Sequence, residues 1–214
     1  MLDGVFNHTG SNSRYFNAQG FYPELGAAQS RESQYYNWYS FHPWPEDYDA
    51  WWGIKTLPAV QESADSYRRF IIRDGDSVVR HWLRQGASGW RLDVADELPD
   101  DFIAEIRSAM DQEKPDSFLL GEVWEDGSNK IAYSQRRRYL LGSETNGLMN
   151  YPFRTAALDW LRGGDAACFR GTMEVIREHY PRPAFYSALN ILGTHDTPRI
   201  LTCLLYTSPS PRDS

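Results

Sequence analysis

The stretch from Gly89 to Glu97 holds the residues best suited to chemistry, because an alternating apolar pattern ends there in acids. If this segment is a strand, Arg91 and Asp93 lie on the same face of it. The guanidinium would then favour the ionised form of Asp93. A positioned, ionised carboxylate at a strand end can act as a covalent nucleophile. The structural alternative is a salt bridge at a strand exit, since such pairs also perturb ionisation.

Three other short apolar runs also end in polar or acidic residues. They lead into Asn7-His8, Glu122-Val123-Trp124 and His195-Asp196. Helical patterns separate the runs, which predicts repeated βα units. In a parallel barrel the carboxyl ends of the strands meet on one face, so acids distant in sequence would converge there. Two carboxylic acids flanking one bond are what glycoside hydrolysis requires.

The four segments resemble the four conserved regions of the alpha-amylase family, glycoside hydrolase family 13. They read Asp3-Gly4-Val5-Phe6-Asn7-His8, Gly89-Trp90-Arg91-Leu92-Asp93, Gly121-Glu122-Val123-Trp124 and Gly193-Thr194-His195-Asp196. Four motifs in the right order and spacing are more specific than any one of them. The resemblance covers about residues 1–202.

Three further stretches resemble the neopullulanase, cyclomaltodextrinase and maltogenic amylase branch of that family. They are Val94-Ala95-Asp96-Glu97, Asn150-Tyr151-Pro152-Phe153 and His195-Asp196-Thr197-Pro198-Arg199. Much of the family carries Lys-His where Asp96-Glu97 stand here, which we interpret as a branch marker.

The resemblance implies a retaining, double-displacement mechanism with three acids. Asp93 would be the nucleophile, and Glu122 the general acid that starts protonated and later serves as base. Asp196 would hold sugar hydroxyls and support ring distortion. A retaining enzyme needs its two reacting carboxyl groups about 5–5.5 Å apart.

The resemblance also implies the roles of four neighbouring residues. Arg91 would orient Asp93, and His8 and His195 would contact sugar hydroxyls. Asn7 would help to bind a structural calcium ion, and no cofactor would be required for the chemistry. The structural alternatives are a turn residue at position 7 and a hydrogen-bonded strand-end histidine at position 8.

The fold that follows is α/β, a partial (β/α)8 TIM barrel with about strands 3 to 7. Residues 9–62 show no sustained periodicity, and an unstructured loop of that length is improbable in a compact domain. We expect them to form an inserted subdomain similar to domain B of the family. Thirteen aromatic residues lie between Tyr15 and Trp52. Some could stack on sugar rings, although we expect about two-thirds to form the subdomain's own core.

Periodicity predicts the secondary structure around the motifs. We expect a helix pair over 63–86 with a break at Asp74-Gly75, and helices over 98–113, about 154–162 and 165–179. We expect strands over 1–8, 117–120, 148–153 and 187–192. In the helix over 98–113 the buried face would be Phe102, Ile103, Ile106 and Met110. The arginines Arg136, Arg137 and Arg138 are adjacent in sequence. Such a cluster could bind phosphate, but we interpret it as the solvated face of a helix.

We make a separate prediction for each end of the chain. Met1-Leu2 runs directly into the motif that the family places at its third barrel strand, so we expect the first two strands to be missing. Residues 203–214 contain a Ser-Pro-Ser-Pro run that cannot continue a helix. We interpret them as a non-native read-through tail, so the domain would be residues 1–202. Only Cys168 would then remain, which weakly favours a reducing, cytoplasmic compartment, although the compartment itself stays undetermined.

The composition of the chain restricts the classes of partner that it is expected to bind. The net charge of −7 makes nucleic-acid binding a poor prospect, and no apolar run approaches membrane-spanning length. We expect an α-glucan substrate with α-1,4 or α-1,6 linkages: maltooligosaccharide, cyclodextrin, pullulan or starch. A homodimer of the intact protein is a further expectation.

Three alternatives remain open from the sequence. They are a transglycosylase on the same scaffold, a non-catalytic relative that kept the barrel, and a fragment that is inactive by itself.

Overall fold

The computed structural model describes residues 1–205 of the chain, which form two compact units divided after Leu119. Each unit contains parallel strands and helices, as the sequence predicts for an α/β protein. Nine of the twelve residues of the predicted tail, 206–214, lie outside the described residues. Cys203 lies in a final helix, Ile200–Leu205.

The first unit is built on two parallel strands. Strand β1 (Leu2–Gly4) pairs with β2 (Gly89–Leu92), with Asp3 opposite Arg91 in the register. Both are shorter than the apolar runs that predict them. The start of strand β3 (Phe118–Gly121) lies beside β2, because Phe118 N–H donates to Ser88 O at 3.0 Å.

Helices of the first unit follow the predicted pattern. A short helix α1 (Asp65–Arg68) continues into a π-helical turn (Arg69–Arg73), and α2 (Val78–Arg84) follows the break at Asp74-Gly75. Helix α3 (Asp100–Glu113) begins after Pro99, with two aspartates in its first turn that suit the positive end of the helix dipole. Its buried face includes Phe102, Ile103, Ile106 and Met110, which is the predicted set.

The inserted segment contains little regular structure. Short 3₁₀ turns occur at Tyr36–Trp38 and Trp51–Gly53, and isolated antiparallel bridges join His8 to Ala59 and Ala50 to Pro58. Phe16 is fully buried, and its ring lies 4.9 Å from that of Tyr39 and 4.6 Å from that of Tyr48.

The thirteen aromatic residues of this segment therefore serve mainly as its core. Phe21, Tyr22 and Trp52 are exposed, whereas the other ten are buried or half-buried. Only Phe16, Trp38 and Tyr39 are fully buried, so the expected two-thirds is reached only when the half-buried rings are counted with the core.

The second unit contains the end of β3 and two more parallel strands. Strand β6 (Gly147–Asn150) pairs with β3 and with β7 (Leu189–Asn190). Helices α4 (Tyr151–Leu161), α5 (Ala166–His179), α6 (Arg182–Tyr186) and α7 (Ile200–Leu205) complete it.

Two strand predictions in this unit are wrong in extent. Strand β6 ends at Asn150 because the Asn150 side chain caps helix α4, accepting from Phe153 N–H at 3.0 Å, and Pro152 suits the first turn. Tyr151-Pro152-Phe153 are thus helical. Strand β7 contains two residues of the predicted 187–192, because α6 occupies the chain up to Tyr186.

The predicted helix at the arginine cluster is also wrong. Strands β4 (Ile131–Ala132) and β5 (Gln135–Arg136) form a hairpin. Its two turn residues, Tyr133 and Ser134, have φ of 51° and 63°. Left-handed conformations at both positions match the twist of a hairpin and cannot continue a helix. Arg137 is 5% exposed and packs over the Tyr139 ring, so it is not on a solvated face.

Among the glycines of the first unit, Gly89 has the closest neighbouring backbone. A Cβ at this position would lie 1.9 Å from Phe118 O, and the backbone φ is +151°. We therefore expect Gly89→Ala to lower the free energy of unfolding by at least about 1 kcal/mol, because the added methyl group overpacks the site. Chemical denaturation followed by tryptophan fluorescence measures it.

Gly171 is the matched control, because a Cβ there meets nothing within 4 Å and the residue lies inside helix α5. Gly171→Ala should raise stability by about 0.5–1 kcal/mol. Equal effects of the two substitutions would contradict the close approach at Gly89.

Candidate active site

The nucleophile candidate lies at the carboxyl end of β2. Arg91 Nη1 donates to Asp93 Oδ1 at 2.8 Å and to Asp3 Oδ1 at 2.6 Å. The side chains of Arg91 and Asp93 are 12% and 18% exposed, so the pair is shielded from most of the solvent. Asp93 N–H also donates to Gly4 O at 3.2 Å, which holds the residue to the end of β1. A guanidinium–carboxylate hydrogen bond at this distance is charge-assisted, and it fixes the orientation of the Asp93 side chain.

The turn that follows Asp93 is unusual in its backbone. Val94 has φ 44° and ψ 55°, a left-handed conformation that is a genuine outlier for a β-branched residue. A 3₁₀ turn, Ala95–Glu97, comes next, and Ala95 is fully buried. Such strain persists only where the surroundings fix the conformation, and it clusters at functional sites.

Glu97 ties this turn to two other parts of the first unit. Its Oε2 accepts from Asn7 Nδ2 at 3.2 Å, and its Oε1 accepts from Trp52 Nε1 at 3.0 Å. Both oxygens of the carboxylate are therefore engaged. The sequence indicated Glu97 only as a branch marker, and no pattern in it predicts these partners.

His8 lies near Asp93, the nucleophile candidate. Its ring stacks on Trp51, with centroids 5.2 Å apart and planes at 28°. Burial lowers the pKa of His8 below its ordinary value, while the charges of Asp93 and Glu97 act in the opposite direction. The histidine is thus held close enough to Asp93 to sense its charge, and its neutral form is favoured.

Asn7 offers a limited test of the expected calcium site. Its side chain is 4% exposed, and Oδ1 makes no hydrogen bond within the described residues. A buried carbonyl oxygen is a suitable ligand for Ca²⁺, but the ion takes six to eight oxygens. Among residues 1–205 no group of three or more His, Cys, Asp or Glu side chains could hold a metal. Calcium at Asn7 therefore stays a prediction.

The acid candidate lies just after β3 in the second unit. Glu122 is 5% exposed, and its Oε1 accepts from Trp124 Nε1 at 3.1 Å. The Trp124 ring stacks on Tyr151 at 4.2 Å, with the planes 9° apart. Tyr151 begins helix α4, so the aromatic pair links the ends of β3 and β6. The strand assignment of Tyr151 was wrong, although the capping pattern of Asn150 and Pro152 could have revealed that a helix begins there.

His195 and Asp196 follow β7 and lie close together. His195 Nε2 is 3.2 Å from Asp196 Oδ2, and the two side chains are 72% and 41% exposed. Thr194 and Thr197 fix the turn: Thr194 N–H donates to Thr197 Oγ1 at 2.8 Å, and Asp196 N–H donates to Thr194 Oγ1 at 3.3 Å. Both side chains are thus open to a ligand.

The two units therefore carry separate parts of the predicted set. The first unit holds Asn7, His8, Arg91 and Asp93, and the second holds Glu122, His195 and Asp196. Each acid follows the carboxyl end of a parallel strand, as barrel enzymes require.

Comparison with known proteins identifies the family. A model of the alpha amylase catalytic domain matches residues 1–210. The chain belongs to the alpha-amylase family of glycosidases, and its fold is the parallel α/β fold of a partial TIM barrel.

Two curated relatives are glucan-degrading enzymes by name. The amylopullulanase of Thermoanaerobacterium saccharolyticum is 37% identical over 244 residues, which covers 100% of this chain and 18% of that protein. The cyclomaltodextrinase of Geobacillus thermopakistaniensis is 32% identical over 211 residues, covering 94% of this chain and 32% of that protein. The name of the second relative is one of those in the predicted branch. The chain spans about a third or less of the length of these relatives.

A solved structure shows the same fold. The cyclic alpha-maltosyl-(1→6)-maltose hydrolase from Arthrobacter globiformis, in complex with its cyclic saccharide, superimposes with a TM-score of 0.79 at 28% identity. The match covers 95% of this chain and 43% of that chain.

The direction of the His8 pKa shift can be tested. A histidine whose folded pKa lies below the unfolded value of about 6.5 contributes stability above that pH, and this is lost as the pH falls towards the folded pKa. We expect an NMR titration of the chain to give a pKa below 6.5 for His8. Asp93→Asn should lower the pKa further, because it removes a charge that favours the imidazolium. A His8 pKa at or above 6.5 in the wild type would contradict the buried placement.

Proposed function

We propose that the intact protein is a retaining glycoside hydrolase that cleaves α-1,4 glucosidic bonds, and by the same chemistry α-1,6 bonds, in α-glucans. Membership of the alpha-amylase family and the printed names of the relatives support this class. The observation that carries the proposal is the shielded Arg91–Asp93 ion pair at the end of β2, because an ionised carboxylate is the nucleophile of this reaction.

In the first step Asp93 Oδ attacks the anomeric carbon and forms a glycosyl ester, while the glycosidic bond breaks. Glu122 donates its proton to the departing oxygen. Its position directly after the carboxyl end of β3, where the residue is only 5% exposed, supports this role. Trp124 Nε1 fixes the orientation of the Glu122 carboxyl.

In the second step Glu122, now a carboxylate, takes a proton from water as the water oxygen attacks the same carbon. The ester bond to Asp93 breaks, and the anomeric configuration is retained. No step requires a metal, and calcium at Asn7 would serve structure alone.

Three other residues bind the sugar in this proposal. Asp196 accepts hydrogen bonds from sugar hydroxyls, while His8 and His195 bind hydroxyls of the same sugar. The exposure of His195 and Asp196 supports this assignment, since open side chains are available to a ligand.

None of the helices between residues 1 and 205 is long and apolar enough to cross a membrane.

Asp93→Asn tests the nucleophile. The amide has nearly the shape of the carboxylate but cannot form the ester, so turnover of maltoheptaose should fall by at least about 10³-fold while binding persists. Reducing-sugar release and titration calorimetry measure the two quantities, in this chain and in the longest protein that its gene encodes.

Asp76→Asn is the matched control, because Asp76 is an exposed carboxylate that pairs with His81 away from the strand ends. It should leave turnover unchanged. Turnover of the Asp93→Asn variant at the wild-type rate would overturn the assignment.

A further inference from the structure

Trp52 has the highest exposure among the large apolar side chains of residues 1–205, at 78%. Most of the other aromatic rings in the subdomain are buried or half-buried. Single exposed apolar residues are common, so exposure alone has no functional meaning. Three further observations set Trp52 apart.

The Trp52 ring is fixed in place although it is exposed. One face stacks on Trp51, with centroids 4.8 Å apart and planes at 12°. The indole N–H donates to Glu97 Oε1 at 3.0 Å, which stops rotation of the ring about its stack. One face and one edge are therefore occupied, and the second face of the indole is open to solvent.

The backbone at Trp52 is strained. Its φ of 48° and ψ of 28° lie in the left-handed region, which bulky residues rarely adopt. Gly53 follows with φ +75°, and a Cβ at that position would meet nothing within 4 Å. The chain thus holds a bulky residue in an unfavourable conformation that turns its ring outward, a pattern associated with ligand sites.

The ring is connected to the nucleophile within the first unit. Trp51, beneath Trp52, also stacks on His8, which senses the charge of Asp93. Glu97, which holds the indole edge, ends the turn that begins directly after Asp93. Trp52 therefore belongs to the surroundings of Asp93.

We propose that Trp52 is a stacking platform for one glucosyl ring of an α-glucan chain, next to the sugar that reacts at Asp93, and that Glu97 is its positioning residue. This rests on the proposed function for the identity of the sugar. The carbon-bound hydrogens of a pyranose form an apolar face that packs on a flat indole, and a rigid ring loses little entropy on binding. Sugar hydroxyls at the ring edge remain in water.

Binding measurements on four variants test the platform. Maltoheptaose is titrated into the chain by calorimetry, with cellopentaose as the β-linked control sugar. Trp52→Ala should weaken maltoheptaose binding by about tenfold, and Trp52→Phe by less, since it keeps a flat ring. Glu97→Ala should also weaken binding, whereas Glu97→Gln should restore most of it because its amide oxygen still accepts from the indole.

Phe21→Ala is the matched control, because Phe21 is 66% exposed in the same subdomain. It should bind as the wild type does. In ¹⁵N NMR spectra the Trp52 indole signal should move on addition of maltoheptaose, while that of Trp82 on helix α2 should not. These spectra also report folding, and Trp52→Phe carries the test if Trp52→Ala does not fold.

Two results would overturn the platform: wild-type affinity in Trp52→Ala, or no binding of maltoheptaose to the wild type. The proposed hydrolysis is tested separately by turnover. An intact protein that shows the Trp52 effect without turnover would contradict the hydrolysis and leave the platform standing.

Discussion

The hydrogen bonds from Arg91 Nη1 to Asp3 and Asp93 are the interaction on which the candidate site depends. Asp3 and Arg91 are opposite each other in the parallel register of β1 and β2, and Asp93 follows directly. Without the guanidinium, the two carboxylates near one strand end would repel each other. The same group therefore supports the pairing of the strands and the position of the proposed nucleophile.

The turn after Asp93 is hydrogen-bonded to the inserted subdomain. Val94 takes a left-handed backbone conformation, and Glu97 then accepts from Asn7 and Trp52. A carboxylate that bridges a strand end and a subdomain residue restricts the motion of the turn between them. Asp93, the proposed nucleophile, is thus fixed on one side by Arg91 on strand β2 and on the other by a turn that Glu97 tethers. Preorganisation of this kind is what enzymes need to place a reacting group.

The sequence predicted those features that depend on local pattern. The apolar spacing of Phe102, Ile103, Ile106 and Met110 predicted helix α3 and its buried face, because periodicity reports directly on burial. Strand ends at Asp93 and Glu122 were predicted for a similar reason. The sequence was misleading where a cap competes with an apolar run, as at Asn150, and where two left-handed residues form a hairpin turn, as at Tyr133-Ser134.

Contacts between distant residues were beyond the sequence. Nothing in the spacing of Glu97, Asn7 and Trp52 indicates that they share hydrogen bonds, since these arise from the path of a long insertion with little regular structure. The exposed state of Trp52 was equally hidden, because aromatic residues serve both cores and sites. The assignment of all three acids to the chemistry remains a prediction that rests on the family.

The central claim, that Asp93 forms a covalent bond to the sugar, can be tested by trapping the ester. In a Glu122→Gln variant, α-maltosyl fluoride can still react, because fluoride leaves without a proton donor, whereas the second step lacks its base. Mass spectrometry of the digested protein should then find one maltosyl group on the peptide that contains Asp93, and none when Asp93→Asn is added. A maltosyl group on another residue, or fluoride release without any labelled peptide, would contradict the account.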